Sequence, residues 1–159
     1  MEIKNSVVMI TGGAIRVGRA VALYLASKGA HIAFSYLPGE PWQDTVRDIR
    51  ACGVNACAAA LDVRDTRQIE QFVETALREL GRIDVLINSA SVWLRKPVLD
   101  VTETDWDQAI DINLKGPFFL AQAVGRAMLR QGHGVIINIT DGSAFQVWPG
   151  YAPHGASKT

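Results

Sequence analysis

Cysteine is scarce: Cys52 and Cys57 are the only two in 159 residues. Neither has a Cys or His partner at zinc spacing. That excludes a disulfide framework and a metal-ligand set, and two free thiols fit a reducing compartment. Charge of one sign is missing as well, since 16 Lys and Arg balance 16 Asp and Glu. A balanced chain carries no electrostatic footprint for nucleic acid or an anionic membrane. No apolar run approaches the ~20 residues that span a bilayer. Met1 to Asn5 leads straight into a strand-like segment, without the basic and apolar regions of a secretory leader. There is no internal repeat, low-complexity tract or linker. These absences leave a cytoplasmic protein without nucleic-acid or membrane partners, built as one domain over residues 1–159. With 48% hydrophobic and 20% charged residues, its composition is globular.

What is present is an alternation. Short apolar runs at Ser6 to Thr11, His31 to Tyr36, Ala56 to Val63, Ile83 to Ala90 and Val135 to Thr140 read as five strands. Between them lie helical periodicities. Val17, Val21 and Leu25 share one face of a helix that stops at Gly29. Trp42, Val46 and Ile49 mark a short helix ending at Gly53. Asp65 with Gln68 opens an amphipathic helix through Ile69, Phe72, Val73, Ala76, Leu77 and Leu80 that ends at Gly81. Thr102 with Asp105 caps a long helix to about Arg130, and Pro153 opens a last one. Such an alternation specifies an α/β, doubly wound parallel sheet sandwiched between helices. Trp42, Trp106 and Trp148 read as packing residues, and His31 and His133 as surface histidines.

The turn after the first strand reads Thr11-Gly12-Gly13-Ala14-Ile15-Arg16-Val17-Gly18. Glycines let backbone amides approach a diphosphate, and the following helix N-terminus favours that anion. Thr11, Gly12, Arg16, Val17 and Gly18 are therefore candidate cofactor contacts, joined by Tyr36 at the end of the second strand. A chain that binds NAD usually has an acid at that place to hold the ribose 2′-hydroxyl. Here Ala33-Phe34-Ser35-Tyr36-Leu37 offers none before Glu40, and Arg16 and Arg19 are near in sequence. The expectation is NADP(H), with NAD(H) as the alternative.

With these residues in place, the chain resembles the short-chain dehydrogenase/reductase family along its whole length. The resemblance rests on the turn at Thr11 to Gly18, Asp62-Val63, Asn88-Ser89-Ala90-Ser91, Asn113 and the segment Asn138 to Lys158. Arg16 stands where the family pattern has glycine. With the Asn-x-Ala-Ser form and Trp93, it looks like the pteridine reductase branch. The resemblance implies a Rossmann-like sheet of order 3-2-1-4-5, followed by two strands that this chain lacks. It implies that Asp62 and Val63 meet the adenine and that Asn88 and Ala90 meet the ribose region. Ser91 and Trp93 would border cofactor and substrate, the ring of Trp93 stacking on a flat heterocycle.

The family's proton donor is a tyrosine, with a lysine four residues later and a serine, or an aspartate in the pteridine branch, 13 residues earlier. Asn113, Asp141 and Lys158 fall at the matching positions, with Lys158 also reaching the nicotinamide ribose. The tyrosine position is His154. Histidine can act as a general acid, with a reference pKa of about 6.5 against about 10 for tyrosine. One reading makes His154, assisted by Asp141, the donor or a relay. The other is a disabled site, or one that uses Tyr151, which precedes Pro153 and so lies ahead of the helix.

The resemblance also implies a longer protein, since this chain stops soon after Lys158. Three functions stay open: an NADP(H)-dependent oxidoreductase acting on a carbonyl or pterin-like C=N small molecule, a nucleotide-binding fragment without turnover, and a receiver-type signalling domain. The last needs acids at the end of the first strand, where this chain has Thr11-Gly12-Gly13. A homo-oligomer is expected for the full-length protein, through the long helix from Thr102.

Overall fold

The structure, a computed structural model, describes residues 2–159, so of the N-terminal segment only Met1 lies outside the described residues. The five apolar runs form β1 (Val7–Ile10), β2 (His31–Tyr36), β3 (Ala56–Ala60), β4 (Val85–Asn88) and β5 (Val135–Asn138). All pair in parallel, in the order β3-β2-β1-β4-β5. The helices are α1 (Arg16–Ser27), α2 (Trp42–Arg50), α3 (Thr66–Leu80), α4 (Glu103–Ile110), α5 (Gly116–Gln131) and α6 (Ala152–Lys158).

Successive strand residues point to opposite faces. Val8, Ile10, Ile32, Phe34, Val85 and Ile87 pack on one face with Ala22, Ala26 and Ile49 of α1 and α2. Met9, Ala33, Cys57 and Leu86 pack on the other with side chains of α3 and α5. Full burial of each large aliphatic or aromatic side chain contributes roughly 1.5–3 kcal/mol. Helix ends follow local chemistry. Asp65 accepts from the amides of Arg67 and Gln68 to start α3, and Gly81 ends it at φ +83°. Thr102 and Asp105 make a reciprocal capping box for α4.

The structure corrects three sequence expectations. The buried face of α1 is Gly18, Ala22 and Ala26, while Val17 is 60% exposed. Small side chains let this helix lie close on the sheet; Val21 and Leu25 pack beside them, partly buried, and of the expected face Val17 is the residue turned out. The long helix expected from Thr102 is interrupted by a π-helical turn at Asp111–Lys115. Its extra residue turns Asn113 inward, a feature common at functional sites. Helices flank the sheet on both faces as expected, with Val135, Ile136 and Ile137 of the edge strand β5 left 39–44% exposed. Trp106, expected to pack, is likewise an exposed residue.

Candidate cofactor and active site

The order of the sheet reverses between β1 and β4, the place where open α/β sheets bind ligands. Gly12 turns the chain there at φ +63°, and a Cβ on it would lie 3.2 Å from Ala90 Cα. A Cβ on Gly18 would collide with the Gly12 carbonyl, so only glycine lets α1 start this close to the turn. The amides of Gly12 and Gly13 are already used. They donate to Ser35 Oγ at 3.1 Å and to the Ser35 carbonyl at 2.9 Å. The donors left for an anion are the first amides of α1, which no side chain caps. Arg16 stands there at φ +50°, a left-handed conformation costing a non-glycine residue roughly 1–2 kcal/mol. Gly12, Arg16, Val17 and Gly18 line a cavity of about 510 Å³.

Tyr36, Asp62, Val63, Ala90 and Ser91 complete that lining. Thr11 stands behind it, fully buried, and its Oγ1 accepts from the amides of Ser89 and Ala90 at 3.0 Å each. Thr11 therefore shapes the loop after β4. Asp62 is gripped by Arg64, whose Nη2 donates at 2.6 Å and Nε at 3.0 Å. The Arg64 guanidinium holds the Asp62 carboxyl below its usual range.

Two features at the end of β2 set the charge there. Arg19 turns away, pairing with Asp48 at 2.5 Å and donating to Thr45 Oγ1 at 3.1 Å, both on α2. Glu40 folds back, its carboxylate accepting from the Leu37 amide at 2.9 Å. It lines the cavity with Tyr36 and Leu37, and the Tyr36 ring stacks on Trp42 at 4.9 Å.

Asn113 ties the loop after β4 to α6. Its Oδ1 accepts from Ser91 Oγ at 3.0 Å and the Val92 amide at 2.9 Å. Its Nδ2 donates to the Val92 carbonyl at 3.1 Å and Ser157 Oγ at 2.9 Å. Asn88 is 4% exposed and donates to Asn138 Oδ1 at 2.8 Å. Its own Oδ1 is buried with no partner among the described residues. Asn88, Asn113 and Lys158 border a second cavity of about 330 Å³.

His154, in the first turn of α6, is 1% exposed. Its Nε2 lies 2.7 Å from Asp141 Oδ2, and its Nδ1 lies 3.2 Å from the Val92 carbonyl. Both neighbours are acceptors, and both protons of the Asn113 amide are engaged elsewhere. Asp141 Oδ1 accepts from Ser143 Oγ at 2.5 Å and the Ser143 amide at 2.9 Å. Burial pushes the Asp141 carboxyl up, but Ser143 and His154 outweigh it and bring it to about 2. Lys158 Nζ donates to the Ile139 carbonyl at 3.1 Å. Burial pushes its ammonium down, and Asp141 opposes this. Tyr151 precedes α6, as its place before Pro153 predicts. Its ring lies 4.8 Å from Trp93, and the Trp93 ring covers His154 at 4.4 Å. Tyr151 and Trp148 border a third cavity of about 640 Å³.

The residues fit a dinucleotide. The turn leaves no room for a Cβ, the α1 amides are uncapped donors, and Asn88 keeps a buried acceptor in want of a donor. Ser35, Glu40, Ser143 and Ser157 carry this geometry unannounced by any motif. Their partners are distant in sequence or sit on the backbone.

This sheet, turn and residue set suit a bound dinucleotide, and the comparisons give the family. The short chain dehydrogenase family model matches residues 6–159, and the chain belongs to that family. It is 35% identical over 153 residues to the 3-oxoacyl-(acyl-carrier-protein) reductase of a Synechocystis species, covering 96% of this chain and 62% of that protein. A dehydrogenase/reductase from Sinorhizobium meliloti 1021 matches at TM-score 0.90 and 33% identity, over 99% of this chain and 63% of that one. An NAD+-bound xylitol dehydrogenase matches at TM-score 0.94 and 30% identity, over 99% and 61%. The chain thus spans less than two thirds of the length of these relatives.

Proposed function

We propose that the protein is an NAD(P)(H)-dependent oxidoreductase that interconverts a small carbonyl or C=N compound and its reduced form. The observation that carries this is the 510 Å³ cavity at the sheet reversal, lined by the glycine turn, Asp62, Val63, Ala90 and Ser91. When bound, the nicotinamide ring gives or takes the hydride. The uncapped α1 amides and Arg16 hold the diphosphate, and Lys158 and Asn88 face the ribose region.

The chain's own chemistry concerns the proton. His154 is closed off, with each ring nitrogen engaged, while the Asp141 side chain is 28% exposed. His154 therefore serves as a proton store, and Asp141 is the group that meets the substrate. The Asp141 to His154 spacing and the Arg16 turn support a pterin-like ring within this class, and Trp93, Trp148 and Tyr151 supply aromatic walls for a flat substrate. Exposed Phe118 and Leu129 on α5 support a homo-oligomer.

The test is steady-state turnover of the whole protein on simple ketones and dihydropterins with NADH and NADPH, for wild type, His154→Ala and His154→Tyr. Loss of the store should lower kcat by about 10²–10⁴ in His154→Ala. If neither variant alters turnover, His154 has no part in the chemistry. The enclosure of His154 also favours a second reading, a nucleotide-binding protein without turnover. It would show calorimetric binding of a reduced nucleotide and no oxidation of it with any of these substrates.

A further inference from the structure

We infer that Glu40 selects the cofactor: its carboxylate takes the adenosine ribose hydroxyls of NAD(H) and rejects the 2′-phosphate of NADP(H). The inference rests on reading the 510 Å³ cavity as the dinucleotide site, and it deepens that reading. Along the sequence, Ala33 to Leu37 ends β2 without an acid, which favours a phosphate. The fold reverses this. Gly39, at φ +96° with open space where a Cβ would be, lets Leu37 to Glu40 close a tight turn. The Glu40 amide donates to the Leu37 carbonyl at 3.1 Å, and Glu40 Oε2 accepts from the Leu37 amide at 2.9 Å. The carboxylate is thereby pinned to the last turn of chain beyond β2, on the wall shared with Tyr36. Oε1 has no hydrogen-bond partner among the described residues and is left to accept from a vicinal diol.

The cations point the same way. Arg19 is spent on Asp48 and Thr45, and Arg64 on Asp62. Of the cavity's lining residues only Arg16 is basic, and it stands on the glycine turn, where the diphosphate goes. Among the described residues, the wall at Tyr36 therefore offers Glu40 to the ribose and no unpaired cation. A 2′-phosphate brings a charge of about −1.5 to −2 against that carboxylate. A ribose hydroxyl brings a donor. Discrimination comes from the repulsion as much as from the hydrogen bond.

The experiment is calorimetric titration of the protein with NADH and with NADPH, for wild type, Glu40→Gln and Glu40→Ala. Glutamine keeps an acceptor for the Leu37 amide and so keeps the turn while removing the charge. Wild type should bind NADH at least about tenfold more tightly than NADPH, or 1.4 kcal/mol. Both variants should narrow that ratio to about threefold or less, chiefly through tighter NADPH binding. A smaller or reversed wild-type ratio overturns the inference, as does a ratio that survives both substitutions. If both nucleotides bind without discrimination, Glu40 loses this role while the cavity keeps its own. If neither binds, the cavity is not the dinucleotide site and both readings fall.

Discussion

Consider Asp141→Asn, which removes a charge and almost no volume. In the wild type, Asp141 Oδ1 accepts from Ser143 and Oδ2 faces His154 Nε2 at 2.7 Å. Asparagine keeps the acceptor for Ser143 and turns an amide group toward the ring. His154 can then accept at Nε2 and donate from Nδ1 to the Val92 carbonyl. Every buried group keeps a partner, so the fold survives and only the ion pair is lost. Against burial, Ser143 first and His154 second bring the carboxyl from 3.8 to about 2, so the full shift, roughly 2.5 kcal/mol before screening, is an upper bound on the ion pair. The side chain is 28% exposed, and solvent reduces this to about 1 kcal/mol. The folded value lies below the unfolded one. The contribution is therefore present above about pH 4 and fades as pH falls toward about 2. Urea unfolding should find the variant about 1 kcal/mol less stable at neutral pH, with the deficit gone near about pH 2. Turnover should fall by about 10²–10⁴. A deficit that persists unchanged into acid refutes the ion pair, and turnover within about threefold of wild type refutes Asp141 as the group through which the proton passes.

Gly18→Ala should cost about 1–3 kcal/mol in urea unfolding and weaken nucleotide binding in calorimetry, because its Cβ meets the Gly12 carbonyl. Asp84 is buried and accepts from the Val7 amide at 2.8 Å and from Arg82 Nε and His133 Nε2 at 2.9 Å. Burial raises its carboxyl, but these donors hold it below the usual range, so wild-type stability should fall as pH drops through the ordinary carboxyl range. Asp84→Asn should lose about 1–3 kcal/mol at neutral pH, read from the urea midpoint. Ile136→Lys on exposed β5 should reduce light scattering at high protein concentration while changing stability by no more than about 0.5 kcal/mol.

The order and type of the elements were legible because each carries a strong local pattern. β2 occupies His31–Tyr36 as its apolar run predicts, and α3 runs between its Asp65 cap and Gly81. Strand ends were not legible, because distant groups decide them. Ser89 and Ala90 read as strand, but the Thr11 hydroxyl takes their amides and bends them into a loop. Val17 was misread for a related reason. Apolar periodicity groups it with Val21 and Leu25, which do pack on the core, whereas the closest contact with the sheet falls to Gly18, Ala22 and Ala26. The π turn at Asn113 has no local signal, since its cause is a set of bonds to Ser91, Val92 and Ser157 on other segments.

The same division runs through the site. Asp141, His154 and Lys158 were legible because one short segment sets their register. Charge around the end of β2 was not, since a turn moved Glu40 in and a helix contact drew Arg19 out. His154 shows how correct register can still mislead about chemistry. Spacing places a side chain at the donor's position but says nothing of which atom reaches the cavity. An imidazole here ends in contact with Asp141 Oδ2, beneath the Trp93 ring. Of the two side chains, Asp141 is the one with exposure, 28% against 1% for His154. In the proposed function the proton passes through that carboxylate, which at about 2 is a poor acid on its own and depends on His154 to resupply it. The pair therefore acts as one unit, and Asp141→Asn combined with His154→Ala should lower turnover little more than either change alone.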